Sequence, residues 1–223
     1  VLVLDKPAGM SSAMAVDNVK KRLGASRAGH GGTLDPIATG VLPICLDEAT
    51  KIAQYLLSDD KAYEADLLLG VETDTLDRTG TTTATREVAV TREAFEAALA
   101  AHRGEQDQIP PMYSAIKQDG VPLDQRARAG IEIERASRRI RIDRLDLLVW
   151  DPPRVRIAIA CSKGTYVRSL VADLGTDVGA GAHMTELRRT RSGVFTLEMA
   201  HDLDRLDDPH LVPMTEATRL PTV

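Results

Sequence analysis

Short apolar runs along the chain alternate with segments whose apolar residues recur at helical spacing, and the two patterns predict different elements. The runs predict β-strands at residues 1–4, 41–46, 61–70, 131–150 and 154–161. Strand character returns over residues 185–197, around a turn at Ser192-Gly193. The run at 154–161 is the clearest, because Val155, Ile157, Ile159 and Cys161 recur at every second position, with Arg154 and Arg156 on the other face. It predicts a strand with one buried and one exposed face.

Four other segments place apolar residues three or four positions apart, which is the spacing of one helix face. The first follows Ser11-Ser12, a pair suited to capping a helix. The residues expected on its buried face are Met14, Val16, Val19 and Leu23. The other three segments lie at 48–57, 91–102 and 166–178, and the second of these turns Phe95, Ala98 and Leu99 inward.

Strands and helices follow one another irregularly, which favours an α+β fold with a mixed or antiparallel sheet over a doubly wound parallel one. We expect a single domain over residues 1–223, with a candidate insertion at about 81–130, where the strand rhythm breaks. Hydrophobic content of 43% and charged content of 27% are ordinary for a globular protein.

Composition also limits the class of protein. No apolar run approaches the roughly 18 residues that a membrane helix needs, and no signal segment opens the chain, so we expect a cytoplasmic protein without membrane contact. Cys45 and Cys161 lie far apart in apolar runs, which favours buried thiols over a zinc site or a disulfide. The five histidines show no metal-ligand spacing, so we expect no metal.

The net charge of −5 argues mildly against a nucleic-acid partner. The cations are clustered, however, at residues 20–27, 126–144 and 188–191, and phosphate binding depends on the local field rather than on the total charge. Acidic residues are interspersed in the longest of these spans. The charge pattern therefore leaves RNA binding open without establishing it.

Asp35 stands in a glycine-rich loop, residues 29–40, whose sequence favours a fixed, non-helical backbone. Its four glycines permit backbone angles and close approaches that a Cβ forbids. Pro36 fixes its own φ and disfavours the helical region for Asp35. The loop lacks the GK[ST] ending of a phosphate-binding P-loop. Because an Asp-Pro pair in such a loop is most often a turn former, the loop alone does not identify a catalytic group.

Six separated motifs give this loop a context. They are DKPAGMSS at 5–12, the loop GHGGTLDPIATG at 29–40, KAYEA at 61–65, PPMYSAIK at 110–117, KGTYVRSL at 163–170 and GAHMTELRRTRSG at 181–193. Each is a weak match alone. Together and in this order they resemble the TruB family of bacterial tRNA pseudouridine synthases over nearly the whole chain.

The resemblance implies a pseudouridine synthase fold, which is α+β, with a mixed, mostly antiparallel sheet, flanking helices and a central catalytic cleft. It implies an isomerase that converts a uridine in the T loop of tRNA, position 55, to pseudouridine without a cofactor or metal. The expected partner is the tRNA T-stem loop, with a monomeric enzyme and no obligatory protein partner. The PUA-type C-terminal domain of many relatives is expected to be absent or truncated here.

Three residues match the family's catalytic positions. Asp35 matches the catalytic aspartate, Arg168 the arginine that pairs with it, and Tyr63 the tyrosine that stacks on the target base. The reaction detaches uracil from ribose C1′, turns it and rejoins it through C5. A carboxylate is ionised at neutral pH and is a known covalent nucleophile toward sugar carbons. Attack at C1′, addition to the ring and proton removal leading to a glycal all remain open.

Four further residues are assigned to substrate binding by the same resemblance. His30 matches the residue that fills the gap left when the target nucleotide flips out, which offsets part of the cost of flipping. Tyr166 and Leu187 are expected to line the base pocket, and a packing role is about equally open for both. Lys6 is expected to support the Asp35 loop, with phosphate neutralisation as a second role.

Two other functions stay open at this point. The guide-RNA-dependent rRNA pseudouridine synthase subunit shares motifs of the Asp35, Tyr63 and Arg168 type, although TDTLDRTG at 73–80 is closer to the stand-alone bacterial form. A tRNA-binding or tRNA-folding protein, whose binding outweighs its chemistry, is the second. A glycosidase is disfavoured, because the sequence offers no paired carboxylates for hydrolysis.

Overall fold

The computed structural model describes residues 1–113, 117–118, 121–122 and 135–218. Within these ranges the α-helices are α1 (Ser12–Arg22), α2 (Ala53–Leu56), α3 (Arg92–Ala101), α4 (Val167–Asp177) and α5 (Met214–Thr218). The strands are β1 (Leu2–Lys6), β2 (Ala28–His30), β3 (Thr39–Leu46), β4 (Lys61–Leu69), β5 (Val71–Thr73), β6 (Thr82–Thr85), β7 (Gly104–Gln108), β8 (Lys117–Gln118), β9 (Val121–Pro122), β10 (Arg138–Asp151), β11 (Arg154–Cys161), β12 (Ala182–Ser192), β13 (Phe195–Thr196) and β14 (His201–Asp202).

The chain divides into two compact units. The first comprises Val1–Glu64 and Leu187–Val223, and the second comprises Ala65–Glu186. The boundaries fall inside strands β4 and β12.

In the first unit, β3 is the central strand. It pairs antiparallel with β1 and β2 and parallel with β12, while β1 pairs parallel with β14 on its other side. The buried side chains of this unit include Val3, Val41, Cys45 and Phe195, all with no exposed surface. Ser11 caps α1 by accepting a hydrogen bond from the N–H of Met14.

The second unit is built on β10 and β11, a long antiparallel pair. The strand order is β4, β11, β10, β7, and β5–β6 and β8–β9 form separate hairpins. Val155, Ile157 and Ile159 of β11 are buried, as their spacing of two residues predicts. Phe95 of α3 is also buried and packs on Trp150 of β10, with ring centroids 5.3 Å apart.

The α+β class with mostly antiparallel pairing is confirmed, and two local expectations are wrong. Met14 is 54% exposed, because the buried stripe of α1 runs through Ser12, Ala15, Val16 and Val19 on the opposite side. Residues 48–57 do not form one helix: a 3₁₀ helix, Asp47–Ile52, precedes the single turn of α2.

Other expectations meet the structure only in part. Residues 131–134 of the predicted long strand, and much of the candidate insertion at 81–130, lie outside the described residues. The insertion and the single domain over 1–223 stay predictions. Cys45 and Cys161 are both buried, which confirms buried thiols. Over the described ranges, no helix has the length and apolar character needed to cross a membrane.

The backbone of Arg189 leaves no room for a Cβ at Gly40, so we expect Gly40→Ala to be strongly destabilising. Its φ is +100°, and a Cβ there would lie 2.2 Å from the carbonyl oxygen of Arg189. Gly24→Ala is a matched control, because φ is +64° but nothing lies within 4 Å. Urea unfolding is expected to show a loss of about 1–2 kcal/mol for the control, from the positive φ alone. The overpacked Gly40 variant should lose about 3 kcal/mol or more. Equal losses would contradict the close approach.

Candidate active site

Asp35 lies in the connection between β2 and β3, where the backbone is neither helix nor strand. This confirms the non-helical loop that Pro36 and the glycines predict. The side chain is half-buried, between the buried Leu34 and the exposed Pro36. The carbonyl of Asp35 accepts from the N–H of Ala38 at 3.0 Å, and the carbonyl of Pro36 accepts from Gly9 at 2.8 Å. The turn is thus bonded within itself and to the DKPAGMSS segment.

Ser12 clamps the residue immediately before Asp35. Its hydroxyl accepts from the N–H of Leu34 at 2.8 Å and donates to the carbonyl of Leu34 at 2.9 Å. Both Ser12 and Leu34 are buried. The two serines of the motif therefore divide the work, since Ser11 caps α1 and Ser12 fixes the loop, a role that the sequence did not distinguish.

Lys6 is fully enclosed beneath the same loop, with no exposed surface. Its ammonium group donates to the carbonyls of Pro7 at 2.8 Å, Met10 at 2.7 Å and Pro36 at 3.4 Å. Burial lowers the pKa of Lys6 to about 8, although the carboxylate of Asp35 acts in the opposite direction. These contacts support the first of the two expected roles of Lys6, which is to hold the loop, because its ammonium group donates to main-chain carbonyls.

The lowered pKa of Lys6 predicts a pH-dependent stability. The folded protein releases this proton near pH 8, whereas an ordinary lysine holds it to about 10.5. Between these values the unfolded chain binds more protons, so the free energy of unfolding gains up to about 1.4 kcal/mol per pH unit from Lys6 as pH rises. Urea unfolding of wild type and Lys6→Met should diverge above pH 8.

A matched control for this titration is Lys51→Met, because the side chain of Lys51 is 70% exposed. The difference between wild type and the Lys51 variant should stay level from pH 7 to pH 10. If the Lys6 difference is equally level, the buried ammonium does not titrate as proposed.

His30 closes strand β2 and is half-buried. Its Nδ1 accepts from the N–H of Gly32 at 3.4 Å. Burial lowers the pKa of His30, and the positive charge of Arg189 lowers it further. Both effects favour the neutral form of the imidazole.

Arg189 corrects one expectation drawn from the charge pattern. It belongs to the basic cluster at 188–191 yet is only 1% exposed. Its guanidinium donates to the main-chain carbonyls of Gly32, Thr33 and Val41. It is therefore a structural cation of the Asp35 loop and not a surface contact for phosphate.

The other predicted residues of the first unit are Tyr63 and Leu187. Tyr63 lies on β4 and is half-buried. Leu187 on β12 is 7% exposed, and its carbonyl accepts from the hydroxyl of Thr39 at 3.5 Å. The first unit thus holds Asp35, Lys6, His30, Tyr63 and Leu187.

Arg168 and Tyr166 belong to the second unit. Arg168 lies in the first turn of α4 and is 5% exposed. Its guanidinium donates to the carbonyl of Thr75 at 3.1 Å and of Tyr113 at 2.9 Å, and its Nε lies 3.8 Å from a carboxylate oxygen of Asp77. The pairing of Arg168 with Asp35 stays a prediction.

Asp77 is a buried acid that the sequence reasoning missed. It is 5% exposed, and its Oδ1 accepts from the hydroxyls of Thr75 at 2.8 Å and Thr79 at 2.5 Å and from the N–H of Thr79 at 2.9 Å. The other carboxylate oxygen, Oδ2, faces the guanidinium of Arg168. The Thr-x-Asp-x-Thr spacing, typical of a side chain closing its own turn, was the available signal.

Gln108 fixes the start of the helix that carries Arg168. Its side-chain oxygen accepts from the N–H of Tyr166 at 2.8 Å, and its side-chain nitrogen donates to the carbonyl of Tyr166 at 3.0 Å. The hydroxyl of Ser169 donates to the carbonyl of Ile109 at 3.1 Å. These contacts join the chain before the PPMYSAIK motif to α4. No local pattern pointed to Gln108.

A groove of about 620 Å³ in the second unit contains none of the predicted site residues. Three arginines and three carboxylates line it, and two of those arginines are paired: Arg156 with Asp66, and Arg78 with Glu186. Its charges therefore balance, which gives it no field for phosphate. Within the described ranges, no group of three or more His, Cys, Asp or Glu residues is arranged to hold a metal ion.

Comparison with known proteins agrees with the residue pattern. The family model described as TruB family pseudouridylate synthase (N terminal domain) matches residues 20–167, and that of the tRNA pseudouridylate synthase B C-terminal domain matches residues 168–220. The chain belongs to the TruB family of pseudouridylate synthases.

Curated relatives named tRNA pseudouridine synthase B are similar over most of the chain. The protein from Pseudomonas paraeruginosa is 53% identical over 94% of this chain and 69% of its own length. That from Aromatoleum aromaticum is 54% identical over 93% of this chain and 67% of its own.

Solved structures show the same fold at lower identity. A chain of a Cbf5-Nop10-Gar1 complex superposes with a TM-score of 0.75 at 31% identity, over 97% of this chain and 60% of that chain. A chain from an H/ACA RNP bound to a substrate RNA containing 2′-deoxyuridine gives 0.70 at 31% identity, over 92% of this chain and 51% of that one. The chain therefore spans about half to three fifths of these structural neighbours.

Proposed function

We propose that this protein is an isomerase that converts a uridine of tRNA to pseudouridine, and that its target is position 55 in the T loop. The observation that carries the proposal is the loop of Asp35, where Ser12, Lys6 and Arg189 fix the backbone around one half-exposed carboxylate. Family membership and the names of relatives about 50% identical support the reaction and the tRNA substrate.

Asp35 carries the chemistry in this proposal. The bond from C1′ to N1 breaks, the uracil turns, a bond from C1′ to C5 forms, C5 loses its proton and N1 gains one. Atoms and electrons balance within the nucleoside, so no cofactor or metal is needed. A carboxylate held on a rigid loop presents its anion without rearrangement, which lowers the cost of reaching the transition state.

The remaining site residues are proposed to act on this anion or on the base. Arg168 is proposed to stabilise the charge of Asp35, as a guanidinium fixed by main-chain carbonyls can do without losing side-chain freedom on binding. Tyr63 is proposed to stack on the target base, with Tyr166 and Leu187 lining the pocket. Neutral His30 is proposed to replace the flipped nucleotide in the RNA stack.

The stand-alone reaction is favoured over the guide-RNA-dependent one. The relatives named tRNA pseudouridine synthase B are 48–54% identical to this chain, whereas the Cbf5 complexes are 31% identical. We propose that the T-stem loop of tRNA is recognised as a folded loop with splayed bases. A monomeric enzyme in the cytoplasm is part of the same proposal.

The decisive experiment measures tritium release from a tRNA transcript carrying [5-³H]uridine, with no guide RNA, metal or cofactor. Formation of pseudouridine expels the C5 tritium, so release equivalent to one site is expected. The matched control is a transcript with cytidine at position 55, which should release none. Undiminished release from the control would place the target elsewhere. No release from either, with tRNA bound tightly, would favour a binding protein.

A further inference from the structure

We infer that Arg189 is a positioning residue that sets the course of the loop carrying Asp35, an inference that rests on the function proposed above. Arg189 lies on β12 and is 1% exposed. Its Nε donates to the carbonyl of Val41 at 2.7 Å, Nη1 to Thr33 at 3.3 Å and Nη2 to Gly32 at 3.1 Å.

The acceptors lie on both sides of the catalytic carboxylate. Gly32 and Thr33 precede Asp35 by three and two residues, and Val41 follows it by six. The guanidinium is planar and its N–H directions are fixed relative to one another. One rigid group therefore fixes the distance between the segment before Asp35 and the segment after it. Because all three acceptors are main-chain carbonyls, it fixes the backbone rather than a side chain.

The backbone of Arg189 reinforces this arrangement. Arg189 and Gly40 are partners where β12 pairs parallel with β3, and a Cβ at Gly40 would lie 2.2 Å from the Arg189 carbonyl oxygen. Arg189 thus contacts the loop on both sides of Asp35. Its backbone packs against Gly40, which follows Asp35, and its side chain binds the carbonyls of Gly32 and Thr33, which precede it.

Burying a charged side chain costs more free energy than burying an apolar one of the same size. In the part of the chain that the structure describes, no carboxylate forms an ion pair with Arg189. Its charge instead acts on the site, lowering the pKa of His30 and of Lys6. An apolar residue of similar size would fill the space but would neither bond the loop carbonyls nor lower these pKa values. The hydrogen-bonding geometry and the charge of the guanidinium are therefore the properties to test.

The test compares Arg189→Lys, which keeps the charge but loses the fork, with Arg189→Gln, which loses both. For Arg189→Lys we expect kcat for tritium release to fall on the order of 30-fold with KM within about two-fold, because a misplaced reacting group costs rate rather than binding. Hydrogen exchange of the 31–41 amides should accelerate while that of β1 does not. NMR titration should show a higher His30 pKa in the Gln variant only.

The matched control is Arg191→Lys, because Arg191 is a half-buried arginine on the same strand that donates to the carbonyl of Gly193 instead of to the Asp35 loop. It should leave exchange of the 31–41 amides and the titration of His30 unchanged. Unaltered loop exchange and kcat in Arg189→Lys would overturn the inference, as would acceleration of exchange throughout the unit. Should the wild type release no tritium, the proposed function fails, and loop exchange still decides the positioning role.

Discussion

We expect the Asp35→Asn variant to lose pseudouridine formation by at least about 10⁴-fold, equivalent to about 5.4 kcal/mol of transition-state stabilisation. The amide has the size and shape of the carboxylate but is neither a nucleophile toward C1′ nor a base. The main-chain bonds of the loop, such as that from Ala38 to the Asp35 carbonyl, do not involve the side chain. The fold and the affinity for tRNA should therefore be retained.

The measurement is single-turnover tritium release with excess enzyme, beside filter binding of the same tRNA. Asp17→Asn is the matched control, because Asp17 is an exposed aspartate on α1 in the same unit and loses the same charge. The control should release tritium at the wild-type rate. Wild-type release from the Asp35 variant would remove the carboxylate from the mechanism, whatever the affinity for tRNA.

The fold was predictable where burial follows a local period. Strand β11 spans residues Arg154–Cys161 as the alternation predicts, and α4 occupies Val167–Asp177 within the predicted 166–178. The turn at Gly193 and the non-helical loop at Asp35 were predictable because glycine and proline restrict the backbone themselves. Prediction failed at 48–57, where apolar spacing does not separate a 3₁₀ helix from an α-helix.

The supporting residues of the site were not predictable in the same way. Gln108 meets Tyr166 across 58 positions, and Arg189 meets Thr33 across 156. No local pattern encodes such partners, since they depend on which strands pair. Arg189 was in addition hidden among arginines, where a surface role is the ordinary expectation. The family resemblance supplied the residues proposed to contact the substrate but not those that fix the backbone around them.

Replacement of Arg168 by lysine is expected to lower kcat by about 10³-fold, the cost of losing a fixed donor that stabilises developing charge. Lysine keeps the charge but is a flexible point donor, whereas the guanidinium meets Thr75, Tyr113 and Asp77 in directions that a single ammonium cannot match. The affinity for tRNA should change little. Arg92→Lys, an exposed arginine on α3 paired with Glu96, is the matched control and should be fully active.

The Asp77→Asn variant tests whether Arg168 must be oriented in a fixed direction or must only carry a positive charge. Both side chains are buried, so replacing the acid removes one of the groups that set the direction of the guanidinium. If orientation matters, Asp77→Asn alone should lower kcat by about 10²-fold, and adding it to Arg168→Lys should cost little more, because both changes disturb one unit. Fully additive losses would mean that Asp77 acts independently of Arg168.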